Sequence, residues 1–291
     1  MRDSADNPRE DRMTEAKPLM AGKRGLVIGV ANERSIAWAI ARAAHAHGAE
    51  LAFTYQGDAL GKRVRPLAES INGIVVGDCD VTDEASVAAV FDAVAKQWGR
   101  LDFLVHAVAY SDPDELKGQY IETTRVNFLK SMEISCYSFT DLCRRAARLM
   151  PQGGSLLTLS YIGAERVMPH YNVMGVAKAA LEASVRYLAV DLGGKNIRVN
   201  AISAGPIKTL AASGIGDFRY ILKWNQLNSP LRRNVTLEEV AGAGLYLLSD
   251  LSAGVTGEVH HVDSGYHVVG MLAVDAAAEV AEMLANFKPS R

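Results

Sequence analysis

Tyr171 and Lys178 stand seven residues apart in the run Y-I-G-A-E-R-V-M-P-H-Y-N-V-M-G-V-A-K, which begins at Tyr161. Seven residues is close to two turns of helix, so the spacing predicts a phenol and an ammonium on one helical face. A phenol so placed can hydrogen-bond and polarise a carbonyl. An ammonium beside it can grip ribose hydroxyls, and its charge favours a polarised phenol. Tyr161 opens the same run and brings a second phenol. These three residues are the catalytic candidates.

Such a strip needs a scaffold, and the surrounding sequence alternates β-rich and helical runs from about residue 24. The predicted strands are 24–30, 50–55, 73–81, 101–109, 154–160, 197–203 and 258–263. Between them lie predicted helices at 35–48 and 82–99, a long one ending near Met150, one spanning about 171–193 and one beginning near Thr236. Thr82 is expected to cap the second of these. Strands alternating with helices imply right-handed crossovers and a parallel sheet covered on both faces. The strand runs are almost wholly apolar, as burial on both faces requires. The fold expected is therefore α/β, a single-domain Rossmann fold with a seven-stranded parallel sheet over residues 21–270. The segment 208–229 interrupts the alternation and reads as a substrate-binding lid. Residues 1–20 mix both charges without an apolar run and are expected to be a flexible tail, not a secretory signal. Residues 271–291 read as a C-terminal tail with a short helix at 275–288.

Composition narrows the function classes. The 291 residues include 31 basic and 33 acidic ones, which argues against a general nucleic-acid binder. Cys79, Cys136 and Cys143 are widely spaced and odd in number, giving neither a zinc site nor a disulfide framework. Reduced thiols point to a cytoplasmic protein. The histidines show no metal-ligating spacing, and no stretch is long and apolar enough to enter a membrane as a spanning helix.

The first strand leads into GVANERSIAWAI, where Gly29, Ala31 and Ser35 are small and Ile36 begins the helix. A βα turn of small residues lets backbone amides approach a pyrophosphate at a helix N-terminus. The second strand ends at Gln56, which can bond ribose hydroxyls but carries no charge. Lys62 and Arg63 come too late to hold a 2′-phosphate, so NADH is preferred to NADPH. Asp80 and Val81 follow the third strand and could contact the adenine, with Asp80 as a simple helix-leading residue the competing reading.

In the usual short-chain dehydrogenase pattern, tyrosine lies four residues before lysine and serine about seventeen before it. Here those positions hold Met174 and Tyr161, and Tyr171 stands one turn earlier. The glycine pattern is also altered, with Glu33 and Ser35 at the later glycine positions. A tyrosine moved back along the stripe suits a carbonyl oxygen remote from the carbon that accepts hydride, as in a conjugated enoyl thioester. On the residues GVANERSIAWAI, LAFTYQ, CDV, LTLSYIGAERVMPHYNVMGVAKAALEASVRYLA, RVNAISAGPIKTLAASGIGDF and TGEVHHVD, the chain closely resembles the NADH-dependent enoyl-acyl carrier protein reductases of bacterial type II fatty acid synthesis. The resemblance runs from about Gly22 to Gly270. Its departures are Ser264, where the family often has glycine, and long tails.

The resemblance implies reduction of a trans-2-enoyl thioester by NADH. Tyr171 would bond the thioester carbonyl and Lys178 the nicotinamide ribose. Tyr161 would lie near the substrate, with protonation by it or by a water relay both open. Ile207 and Thr209 would border the nicotinamide and phosphates, and Ala107 and Val108 the cofactor face. Ala109, Ser111, Tyr161, Tyr171, Met174, Ala211, Ala212, Ile215 and Phe218 would contact the substrate, the last four from the lid. Asn127 is not expected to take part. Acyl carrier proteins are acidic, and Arg219, Lys223, Arg232 and Arg233 in and after the lid are the expected docking residues. A homotetramer is implied by resemblance alone.

Overall fold

A computed structural model of the chain describes residues 18–210, 212, 217–271 and 273–286. Its strands are β1 (Arg24–Ile28), β2 (Glu50–Tyr55), β3 (Ile74–Asp78), β4 (Phe103–His106), β5 (Gly154–Ser160), β6 (Ile197–Ala204) and β7 (Val259–Val262). They form one seven-stranded sheet in the order β3-β2-β1-β4-β5-β6-β7, with every neighbouring pair parallel. Single residues alternate between two cores. Val27, Phe53, Phe103, Leu157 and Ile202 face a cluster with Trp38 and Ile40 of α1 (Ile36–Ala46) and Val240 and Leu247 of α8 (Leu237–Leu248). Leu26, Ala52, Leu104, Leu156 and Ala201 face the opposite cluster. That cluster holds Val87 and Phe91 of α3 (Glu84–Trp98), Phe139 and Leu142 of α5 (Ser138–Arg148) and Leu181 and Val185 of α6 (Asn172–Gly193). Both faces of every central strand are thus buried, which is why the strand sequences show no polar alternation.

The order in which successive strands are added to the sheet reverses between β1 and β4. At that switch point the loops after two neighbouring strands leave toward opposite faces of the sheet, and a crevice for a ligand opens between them. Gly29 closes β1 there with φ of 105°, and a Cβ on it would sit 2.2 Å from the Ala107 carbonyl oxygen. Only glycine fits this position.

Several sequence expectations are corrected. The fourth strand ends at His106 rather than Ala109, and a loop with a short 3₁₀ turn at Tyr120–Glu122 follows it. The expected long helix starts only at α4 (Arg125–Met132) and passes through a wide π turn at Glu133–Tyr137 into α5. Asp83, not Thr82, caps α3, accepting from the Ala85 amide, while Thr82 donates to Asp80. Within the 208–229 segment read as a lid, Phe218–Asn228 forms helix α7. The C-terminal helix is α9 (Ala277–Asn286), whose Val280 is buried with Leu227 of α7. Tyr171 lies just outside α6 as its N-cap, because Asn172 and His170 on either side take left-handed φ of 39° and 56°.

Candidate active site

Two cavities open at the carboxyl ends of the strands and share Ala109 and Tyr110 in their walls. The first, of about 510 Å³, lies over the ends of β1, β2 and β3. Gly29, Ala31, Gln56, Asp80, Val81, Ala107 and Val108 all line it. The second, of about 350 Å³, lies over β5 and β6. Its walls include Ile36, Ser111, Tyr161, Tyr171, Met174, Lys178, Ile207, Thr209, Ala212 and Phe218. The structure therefore brings together the residues the sequence singled out, with three exceptions. Ala211 and Ile215 lie outside the described residues. Ser35 lines neither cavity.

Ser35 acts through the turn instead. Its hydroxyl accepts from the Ala31 and Asn32 amides at 3.0 and 3.1 Å, holding the β1–α1 turn in shape. The first turn of α1 carries no acidic residue, so the positive end of its dipole is not neutralised. A pyrophosphate fits such a turn: a helix N-terminus, small residues, and a crevice at the switch point. Across the cavity, Asp80 accepts from the Thr82 amide and hydroxyl at 2.9 and 2.7 Å, and Gln56 also bonds it. The Thr82 bonds, the largest cause, hold the Asp80 carboxyl below its ordinary range. Asp80 thus stays a charged acceptor beside Gln56, a pair suited to hydroxyls and hostile to an added phosphate. Tyr55 next to them is covered by the Arg65 guanidinium, 4.8 Å from the ring centre.

The second cavity is mostly apolar, and its polar groups are deeply placed. Lys178 sits inside α6, buried, and donates to the Leu159 carbonyl at 2.8 Å. Burial pushes its ammonium down to about 8, offset in part by Cys136 and Glu182. Tyr171 is buried against Tyr161, with ring centres 5.1 Å apart in an edge-to-face arrangement. Burial, then Tyr161 and Glu182, push the Tyr171 phenol well above its ordinary value. Burial also raises Tyr161, with Tyr266 and Asp263 adding to it. Desolvation wins, and Tyr171 remains a protonated donor.

Residues not singled out by sequence shape this pocket. A Cβ on Gly163 would lie 2.4 Å from the Tyr171 ring, and one on Gly175 would lie 2.7 Å from the Gly163 carbonyl oxygen. The two glycines let the turn at Ile162–Ala164 settle on α6 so that the Tyr171 ring packs over Gly163. The Y-I-G sequence after β5 was the available signal. On the other wall, Asn127 accepts from the Asp112 amide at 2.9 Å and donates to Ser111 at 3.1 Å. It anchors the loop after β4. Ser135 in the π turn grips both the amide and the carbonyl of Tyr110. A wide turn here opens the helix enough to receive that loop.

Phe218 and Ile221 of α7 complete the apolar wall. Thr209 bonds the Ala212 amide through its hydroxyl at 3.1 Å. The expected basic docking set divides in two. Arg232 pairs with Asp275 at 2.5 Å and also donates to the Leu227 carbonyl, and Arg233 forms two bonds to Glu239. Arg219 and Lys223 remain exposed, one turn apart on α7. Among the described residues no cluster of histidine, cysteine or acidic side chains could hold a metal ion, and no helix is long and apolar enough to cross a membrane. Cys79, Cys136 and Cys143 are free and buried.

A crevice over β1 that fits a dinucleotide, opening into a pocket whose phenol stays protonated beside a buried ammonium, marks a nucleotide-dependent reductase on a Rossmann-type sheet. A family model described as enoyl-(acyl carrier protein) reductase matches residues 29–267. The chain is 68% identical over 264 residues to enoyl-[acyl-carrier-protein] reductase [NADH] 1 of Rhizobium meliloti, covering 91% of this chain and 97% of that one. The crystal structure of the reductase from Anaplasma phagocytophilum in complex with NAD is similar at a TM-score of 0.85 and 64% identity, covering 88% of this chain and 98% of that one. The Bacillus cereus enoyl-acyl carrier protein reductase, solved with NADP⁺ and indole naphthyridinone, is similar at a TM-score of 0.85 and 50% identity over 87% of this chain and 99% of that one. The protein belongs to the enoyl-acyl carrier protein reductase family.

Proposed function

We propose that the two linked cavities carry out the reaction of this family. The protein reduces the carbon–carbon double bond of trans-2-enoyl-acyl carrier protein thioesters with NADH, the last reductive step of a fatty acid elongation cycle. The observation that carries this reading is the protonated Tyr171 phenol set in an apolar pocket with buried Lys178 on the helix that Tyr171 caps, and methionine where a carbonyl reductase would have its tyrosine.

Bound NADH supplies the hydride that goes to the β-carbon of the enoyl group. The electron pair of the double bond then moves toward the thioester carbonyl, and negative charge collects on its oxygen. Tyr171 donates its hydroxyl hydrogen bond to that oxygen. In a pocket stripped of water such a donor stabilises developing charge more than it stabilises the neutral thioester. Collapse of the enolate takes one proton at the α-carbon, delivered by Tyr161 or by water. Lys178, charged below about pH 8 and fixed by Leu159, holds the nicotinamide ribose hydroxyls. Gly29, Ala31 and the α1 N-terminus take the pyrophosphate, Gln56 and Asp80 the adenosine end. Met174, Ala212, Phe218 and Ile221 surround the acyl chain, each buried methylene adding about 0.8 kcal/mol.

In this reading residues 21–270 are the reductase domain, and the 208–229 segment closes over the cofactor and substrate. The acidic carrier docks on α7 through Arg219 and Lys223, since Arg232 and Arg233 are already neutralised by Asp275 and Glu239. The protein works in the cytoplasm as a homotetramer. The test is NADH oxidation with a trans-2-enoyl thioester and with a 3-oxoacyl thioester, each repeated with NADPH. Turnover of the enoyl substrate with NADH preferred is expected. Turnover of the 3-oxoacyl thioester alone would refute the reading.

A further inference from the structure

Three consecutive residues at the end of β5 are each tied to α6 or its cap. Leu159 offers its carbonyl to Lys178 at 2.8 Å. Ser160 donates its hydroxyl to the Glu182 carboxylate at 2.5 Å. Tyr161 packs edge-on against Tyr171. On α6, Lys178 and Glu182 are one turn apart and therefore share a face. Two of these three ties reach residues of the proposed chemistry, and the middle one reaches a residue with no part in it.

That middle tie is costly. Glu182 is only 7% exposed, and burial holds its carboxyl above the ordinary range despite the Ser160 bond. Glu165 adds to the rise, while His261 and Arg186 oppose it. A buried carboxylate is weak evidence of a stability role, because an apolar side chain of similar size often does as well or better. Its geometry has a different consequence. The Ser160–Glu182 bond locks the height of the β5 end along α6, and that height sets where the Leu159 carbonyl meets Lys178 and where Tyr161 meets Tyr171.

We propose that Glu182 is a positioning residue: through Ser160 it fixes the end of β5 against α6 and so holds Lys178, Tyr161 and Tyr171 in register. This rests on the reductase reading above. Glu182 touches none of the reacting atoms, and its charge is the last-ranked influence on both Lys178 and Tyr171, so its main effect is on alignment and appears in kcat more than in thioester KM. Misplacing reacting groups by about 1 Å can cost on the order of 100-fold, and a loosened strand end should cost roughly tenfold.

The experiment compares Ser160→Ala, Glu182→Ala, Glu182→Gln and the Ser160→Ala/Glu182→Ala pair in the full chain, by NADH oxidation with a trans-2-enoyl thioester and by thermal unfolding. The expected result is a roughly tenfold fall in kcat for each alanine variant, with the double variant no worse than either single one. Glu182→Gln keeps an oxygen that can accept from Ser160 and should return kcat to within about twofold. Ser160→Ala removes one oxygen only and decides the matter if Glu182→Ala fails to fold. Alanine variants at wild-type kcat, additive losses that follow the unfolding temperature, or a Glu182→Gln variant as slow as Glu182→Ala would each overturn the proposal. A wild-type protein inactive on the enoyl thioester would instead remove the reductase reading on which it rests.

Discussion

The two cavities meet at Ala109 and Tyr110 yet are built on opposite plans. Over β1 to β3 the chain works mainly with its backbone: a left-handed glycine, amides gathered by Ser35, an unneutralised helix end. Its one shifted carboxyl, Asp80, is held charged by hydrogen bonds while only partly buried. Over β5 and β6 the chain works with side chains buried in apolar surroundings, where desolvation governs Tyr161, Tyr171 and Lys178 alike. The first plan suits a ligand that is already charged and arrives with its own solvation to exchange. The second suits charge that exists only during the reaction, because a dry pocket strengthens each donor at that moment.

The contrast can be broken most directly at Tyr171. Tyr171→Phe removes the donor and leaves the ring, so kcat on an enoyl thioester should fall by about 10²- to 10³-fold while NADH binding, read by fluorescence, stays within about twofold. A variant at wild-type rate would remove the distinction between the two halves. Paired glycine substitutions sharpen it next. Gly163→Ala pushes against the Tyr171 ring and should lower kcat by roughly tenfold or more. Gly29→Ala forces a side chain into the Ala107 carbonyl at positive φ, so it should weaken NADH binding and cost about 1–3 kcal/mol of stability in denaturant unfolding. Identical kinetic signatures for the two would mean that the halves do not divide binding from chemistry. The smallest effect is in pH. Lys178 is held down to about 8 from 10.5, so its charge is present below that value and lost as pH rises through it. The ratio kcat/KM for NADH should therefore fall above about pH 8, by up to tenfold per unit, with Tyr171 too high to take part. A flat profile to pH 9.5 would contradict a buried ammonium as the ribose grip.

The same division decides what the sequence could reveal. Strands buried on both faces announce themselves as apolar runs, and all seven were legible, with ends that coincide or differ by up to three residues. Tyr171, Lys178 and Met174 were legible because side-chain identity and spacing carry the information. Tyr171 was nevertheless assigned to the helix, since nothing in periodicity reveals that His170 and Asn172 turn left-handed beside it. The π turn at Glu133–Tyr137 was invisible for a related reason: its residues are as helix-compatible as their neighbours, and the wide turn is fixed by Ser135 meeting Tyr110 from a distant loop. Ser160 and Glu182 are 22 residues apart and meet only after a strand and a helix have packed. The docking set was overread, because a count of arginines does not show that Asp275 and Glu239 already answer two of them.

The packing of α9 on α7 bears on how the protein can be handled. Leu227 of α7 is buried with Ala276 and Val280, Asn228 accepts from the Ala273 amide, and Phe218 and Ile221 of the same helix wall the substrate cavity. Helix α9 is therefore leashed to the pocket wall. The first described residues dock at the other end of the sheet, where the Met20 amide bonds the His47 carbonyl beside the start of β1. An affinity handle, a fluorophore or a surface tether belongs at the amino end, where its pull reaches the strand starts and leaves the mouth of the cavity alone.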